Sequence, residues 1–256
     1  MRILYSIYFR NSEVVIYEDK YLYKIFILMM KTIEEMNNVY IGFDFSMNKP
    51  AATIYYNKHF YFYFWALKLT DKKLQMYKDC NVHAISRNLS SIDSSKIENT
   101  QLVLIHTIRS TDLANMIIKD IDDLLSAFNI QENYNLYVCS EGLSYASKGD
   151  ATLNLATYKG VLLSKIYEHY GDNLKRMFTY SPNTLKSTAG CATKERRGDK
   201  LNMIKAFMKE PINNPFKNAL VNNQLISKTN FIEGVDDLVD SYWALKTMVK
   251  KEKLTL

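Results

Sequence analysis

Tyr40-Ile-Gly-Phe-Asp-Phe-Ser46 is a run of β-branched and aromatic residues with a single carboxylate inside it. A second such run, Ala52-Thr-Ile-Tyr-Tyr56, follows the turn residues Met47-Asn-Lys-Pro50, and a third covers 60–68 after Asn57-Lys58. Residues of this type suit a pleated surface, and short polar connections join neighbouring strands, so the three runs predict an antiparallel meander over 39–46, 51–57 and 60–68. The two-residue strand period puts Ile41, Phe43 and Phe45 on one face and Gly42, Asp44 and Ser46 on the other. A carboxylate in such a strand is costly unless it is paired, metal-bound or on an edge facing water.

Downstream the pattern changes to alternating helix and strand. Leu113, Ile117, Ile121, Leu124, Leu125 and Phe128 recur at helical spacing and predict a helix over 111–128. Leu136–Ser140 reads as a strand that delivers Glu141, followed by a helix at about 152–170 with Leu155, Tyr158, Leu162 and Ile166 on one stripe. A short strand at 177–180 ends at Ser181-Pro182, and helices at about 198–209 and 233–250 close the chain. Residues 70–100 are polar and read as an irregular insertion, with a short strand at 102–106. The expected class is therefore α/β: a mixed sheet, with a three-stranded antiparallel meander followed by parallel strands and helices on both faces. One domain is expected over 37–256, with 70–108 as a variable insertion and 1–36 as an extension of uncertain role. In that extension the apolar run Tyr21–Met30 is broken by Lys24 and is too short to span a bilayer, so no membrane partner is expected. It reads as a peripheral hairpin or helix, or as sequence upstream of the functional start.

Across 256 residues the formal net charge is only +6, which excludes a general polycation. The charge is uneven: Ser181–Lys209 holds seven basic residues against two acidic ones. A basic segment suits a polyanionic substrate, although a charge run also serves as a solvated face. Three cysteines without paired spacing (Cys80, Cys139 and Cys191) argue for a reducing compartment and against zinc.

Three acidic stations stand out: Asp44 in a strand, Glu141 at a strand end, and Asp236, Asp237 and Asp240 on the last helix. On that helix Val235, Leu238, Val239, Tyr242, Leu245 and Val249 form one side, and the three acids project from the other together with the small residues Ser241 and Ala244. An ordinary solvated face explains this helix, and a surface turn explains Glu141. The alternative is that all three stations meet. Like charges within one turn repel and call for a cation, and hard oxygen ligands suit magnesium. Two such ions, about 4 Å apart, stabilise in-line attack on a phosphodiester.

The order of these stations resembles the RuvC-like Holliday-junction resolvases of the RNase H-like superfamily, particularly their phage-encoded members. The resemblance covers roughly 38–250 and extends to Glu141-Gly-Leu-Ser-Tyr-Ala-Ser-Lys-Gly149, the helix after it, Ser181-Pro-Asn-Thr-Leu-Lys-Ser-Thr-Ala-Gly190 with Lys194, and Val235-Asp-Asp-Leu-Val-Asp-Ser-Tyr-Trp-Ala244. It implies an RNase H-like fold and a crossover-junction endodeoxyribonuclease of the kind used in DNA recombination and repair. Two magnesium ions, with manganese able to substitute, would be held by Asp44, Glu141, Asp237 and Asp240. Asp237 is chosen over Asp236 on the family's three-residue spacing, yet Asp236 and Asp240 also share a helix face. Lys186 and Lys194 match lysines near the scissile phosphate. Arg196 and Arg197 extend the basic loop where the chain departs from the family pattern, and Tyr145 is placed to stack on an unpaired base. Branched DNA is the implied partner, a two-fold homodimer the implied assembly, and the cytoplasm (the host's, for a phage protein) the implied location. The rivals are a ribonuclease H or a packaging nuclease on the same fold, a catalytically silent DNA-binding scaffold, and a sugar-kinase or actin-like ATPase. The last lacks its second glycine-rich phosphate loop here.

Overall fold

β1 (Ser6–Arg10) and β2 (Glu13–Tyr17) pair antiparallel as a separate two-stranded sheet, so the extension contributes a hairpin. The computed structural model describes residues 6–10, 13–17, 38–87, 99–130, 134–142, 150–191, 200–227 and 230–256. The apolar run at 21–30 lies outside them.

The meander forms as expected. β3 (Asn38–Asp44), β4 (Ala51–Tyr56) and β5 (His59–Leu67) pair antiparallel in sequence. Asn57 and Lys58 both take positive φ, the two-residue turn whose twist matches that of the flanking strands. β7 (Asn135–Glu141) then lies parallel to β3, and β8 (Leu174–Tyr180) parallel to β7. The full order is β6-β5-β4-β3-β7-β8.

The sixth strand corrects the sequence reading. Residues 70–100 are not wholly irregular: α1 (Asp71–Asp79) is capped by Thr70, and β6 (Val82–Arg87) adds to the sheet parallel to β5. Nor is 102–106 a strand. It belongs to α2 (Asn99–Ala127), whose 29 residues extend the helix expected from 111. Leu102–Ile105 looked extended only because a short apolar run carries no period of its own. A second difference concerns 181–190, to which the periodicity assigned no element: Ser181 caps a short helix, α4 (Pro182–Thr188), with proline in its first turn. α3 (Asp150–Tyr170), α5 (Lys200–Met208) and α7 (Val235–Lys251) fall where the sequence placed them. α6 (Pro215–Val221), capped by Asn214, and the short pair β9 (Ile226–Ser227) and β10 (Asn230–Phe231) were not foreseen.

Helices cover both faces of the sheet, and each face has its own core. Val39, Ile41 and Phe43 pack with Ile54, Trp65, Leu136 and Val138 beneath α2 and α3. Tyr40, Tyr55, Phe62 and Phe64 pack beneath α1, α5, α6 and α7 on the other side. Burial on both faces is why these strands read as near-continuous apolar runs.

Candidate metal centre

Asp44 is the last residue of β3 and Glu141 the last of the neighbouring parallel β7. Phe43 is in register with Ser140, so the two carboxylates leave the sheet side by side at the carboxyl ends of adjacent strands. In open α/β sheets this edge is where ligands bind.

The third contribution comes from α7, which lies across β3, β4 and β7 on the Gly42 face. It sits close because Gly42 has no side chain. A Cβ there would meet the Ser241 carbonyl oxygen at 2.3 Å and the Leu245 nitrogen at 2.5 Å. Ser241 donates to the Leu238 carbonyl at 2.7 Å, and its oxygen accepts from Thr53 at 2.7 Å, which ties the helix to β4. Its start is fixed as well. Gly234, at φ 95°, is the cap, and a Cβ on it would run into the Phe64 ring at 2.2 Å. The preceding Glu233 binds Lys49 at 2.9 Å and Lys73 at 2.7 Å, and its carbonyl accepts from Tyr77. The small residues Ser241 and Ala244, expected beside the acids, are buried against the sheet.

With α7 so held, carboxylate oxygens of Asp44, Glu141 and Asp240 lie within 4.8 Å of one another. Asp237 lies near enough for its charge to act on Asp44. Asp236 pairs with Lys200. Of the two, Asp237 is the one whose charge acts on Asp44, although neither belongs to the group of three carboxylates.

The cluster is electrostatically uncomfortable without a cation. Burial, then the charges of Asp240, Asp237 and Glu141, push the Asp44 carboxyl well above its ordinary range against the pull of Lys200. Burial followed by Glu141 raises Asp240 to about 7, and burial followed by Asp236 raises Asp237 to about 6. Burial also raises Glu141, although Lys186, Lys159 and Lys200 oppose it. A hard divalent cation answers four such groups, since their oxygens are the ligands it takes. The donor set fits magnesium or manganese.

Two lysines at this site were not among the sequence candidates. Lys200, the first residue of α5, is drawn down by burial, but Asp236 with Asp237 and Asp240 overrides this and holds it charged. Lys159 on α3 is only 8% exposed and donates to the backbone carbonyl of Glu141. The signal for Lys159 was its place on the apolar stripe, four residues after Leu155 and three before Leu162. Lys186, on α4, acts on Glu141 as expected of a nearby cation. Lys194, Arg196, Arg197 and Tyr145 lie outside the described residues.

No family model matches the chain, and no curated protein matches it. Among solved structures it is similar to Thermus thermophilus RuvC (8% identity, TM-score 0.41, 84% of this chain and 96% of that one). It is also similar to T. thermophilus RuvC in complex with Holliday junction substrate (7%, 0.42, 85% and 97%) and to the yeast mitochondrial Holliday junction resolvase Ydc2 (10%, 0.43, 93% and 88%). These likenesses are weak. The mixed six-stranded sheet with its antiparallel meander, parallel strands and helices on both faces is established by its own pairing.

Proposed function

We propose that this protein is a metal-dependent nuclease of RNase H-like fold that hydrolyses phosphodiester bonds in branched DNA, with four-way junctions as its substrate. The observation that carries the reading is the meeting of Asp44, Glu141 and Asp240 from two strand ends and a helix, with Asp237 beside Asp44. Surface acids rarely converge from three elements into a half-buried cluster, because desolvation and repulsion both oppose it.

In this reading Asp44, Glu141, Asp237 and Asp240 would hold two magnesium ions. The chemistry such ions would supply when bound is activation of water and neutralisation of charge on the leaving oxygen. The chain's own residues do the rest. Lys200 and Lys186 place positive charge at the rim of the carboxylates, where a phosphate arrives. Lys194, Arg196, Arg197 and Tyr145 are assigned to the same DNA, the cations to its backbone and Tyr145 to an unpaired base. Symmetrical cutting of a junction needs two such sites, so the active form is a homodimer. Among the described residues no helix is long and apolar enough to cross a membrane. Action on DNA in the cytoplasm belongs to the proposal.

The test is cleavage by purified protein in magnesium of three substrates: a four-way junction, an RNA–DNA hybrid and a linear duplex. Preferential symmetrical cutting of the junction is expected. Preference for the hybrid or the linear duplex would assign a different nuclease activity to the same centre. Binding without cutting of any of the three would reduce the protein to a scaffold.

A further inference from the structure

We propose that Lys159 is a positioning residue for the carboxylate cluster: its ammonium fixes the Glu141–Gly142 peptide and thereby the direction in which Glu141 presents its carboxylate. The inference rests on reading the cluster as a metal site.

The pairing of β3 with β7 ends at Phe43 and Ser140, so Glu141 stands one residue past that ladder. On its other side β7 stays paired with β8 as far as Glu141 and Tyr180, and the Gly142 N–H donates to the Tyr180 carbonyl at 2.7 Å. In a trans peptide the carbonyl of one residue and the N–H of the next point in opposite directions. The Glu141 carbonyl therefore faces the side where β3 has stopped, and there it receives Lys159. One peptide plane is held from both edges, by β8 through its N–H and by α3 through its C=O.

A lysine is an expensive way to satisfy a carbonyl. Lysines are almost never so buried unless paired, and water or a hydroxyl would suffice at an ordinary strand end. This one sits on a rigid element. Tyr158 beside it and Leu162 and Ile166 beyond are core residues of the α2–α3 face. Its charge also faces Glu141 and Asp44, the acids whose separation the metals must match. Groups that orient a ligand without touching the metal typically change metal affinity or activity by about 10–100-fold when removed.

The experiment uses the full chain with Lys159→Met, which keeps the aliphatic stem, and Lys159→Gln, which keeps a neutral donor, beside Lys159→Arg. Manganese affinity by calorimetry is read together with melting in chelator and single-turnover junction cleavage. The Met and Gln variants should bind manganese roughly 10-fold more weakly or worse. Cleavage should slow while junction affinity changes by less than about twofold, and Arg should recover part of both, as expected of a ligand-orienting role. If the Met and Gln variants melt lower yet bind manganese like wild type, Lys159 is a structural residue only and the proposal is overturned. Weakened manganese binding in a protein that cuts no DNA would sustain this proposal and remove the nuclease reading. Unchanged binding in variants that still cut would do the reverse.

Discussion

At Gly42 a single missing side chain decides where a helix lies. The atoms a Cβ would strike are backbone atoms of α7, which cannot rotate away. Gly42→Ala should therefore lift α7 from the sheet at a cost of about 3 kcal/mol, in the range of overpacked cores. Because Asp240 immediately precedes Ser241, the same shift should abolish cleavage in protein that is still folded, as a melt combined with an activity assay would show. The acids make a second prediction. Asp237 and Asp240 have folded values of about 6 and 7, raised above their unfolded ones. Groups raised in this way stabilise the fold at low pH and lose that contribution as pH rises through the folded values. Without metal, melting should therefore fall between about pH 4, where the unfolded acids ionise, and about pH 7, and Asp240→Asn should melt higher than wild type at pH 8, by roughly 3 °C or more. Magnesium should reverse the ranking, since only wild type keeps all the ligands. A flat wild-type profile in chelator would contradict the electrostatics described. Asp44 was legible in sequence because an acid in an apolar strand is anomalous. Lys159 carried a weaker signal, a lysine on the apolar stripe of its helix, and nothing in the sequence said that Glu141 was its partner.

Elements were legible where period and punctuation agreed. The meander, β7 and α7 each had both. β6 and the first turns of α2 had neither, and there the reading failed: whether an apolar run is strand or helix depends on what it packs against. The anchoring of α7 was equally hidden, because Lys49, Lys73 and Glu233 come from three distant segments. Hydrogen bonding to Lys73 and the nearby Lys49 hold the Glu233 carboxyl below its ordinary range. A group lowered in this way stabilises the fold above its unfolded pKa, and that contribution disappears as pH falls through the folded value. Glu233→Gln should thus cost about 1 kcal/mol at pH 7, the scale of a partly exposed pair of ion pairs, and almost nothing near pH 3. Denaturant titrations at the two pH values check it. An equal loss at both would assign Glu233 a packing role instead.

On the scale of the whole molecule, the topology brings the functional groups together. Parallel β3 and β7 end at one edge, α3 returns a lysine to it, α5 begins beside it with Lys200, and α7 crosses over it. The repelling acids on the last helix and the carboxylate in an apolar strand suggested this convergence, and a family likeness supported it, because separations of nearly a hundred residues carry no geometry by themselves. Binding to junction DNA should weaken steeply with salt, as phosphate contacts release counterions. Lys200→Ala should slow cleavage more than it lowers affinity, which a comparison of single-turnover rate with binding would reveal. The central claim, that these carboxylates serve metal-dependent cutting of DNA, is tested most directly by one comparison: single-turnover cleavage and binding of a four-way junction by wild type and Asp44→Asn, with magnesium and with chelator. Wild type should cut only with magnesium, and Asp44→Asn should bind the junction nearly as well yet cut at least about 1,000-fold more slowly, as expected when a ligand serves only the chemical step. Cleavage by Asp44→Asn at the wild-type rate, or by wild type in chelator, would contradict the account.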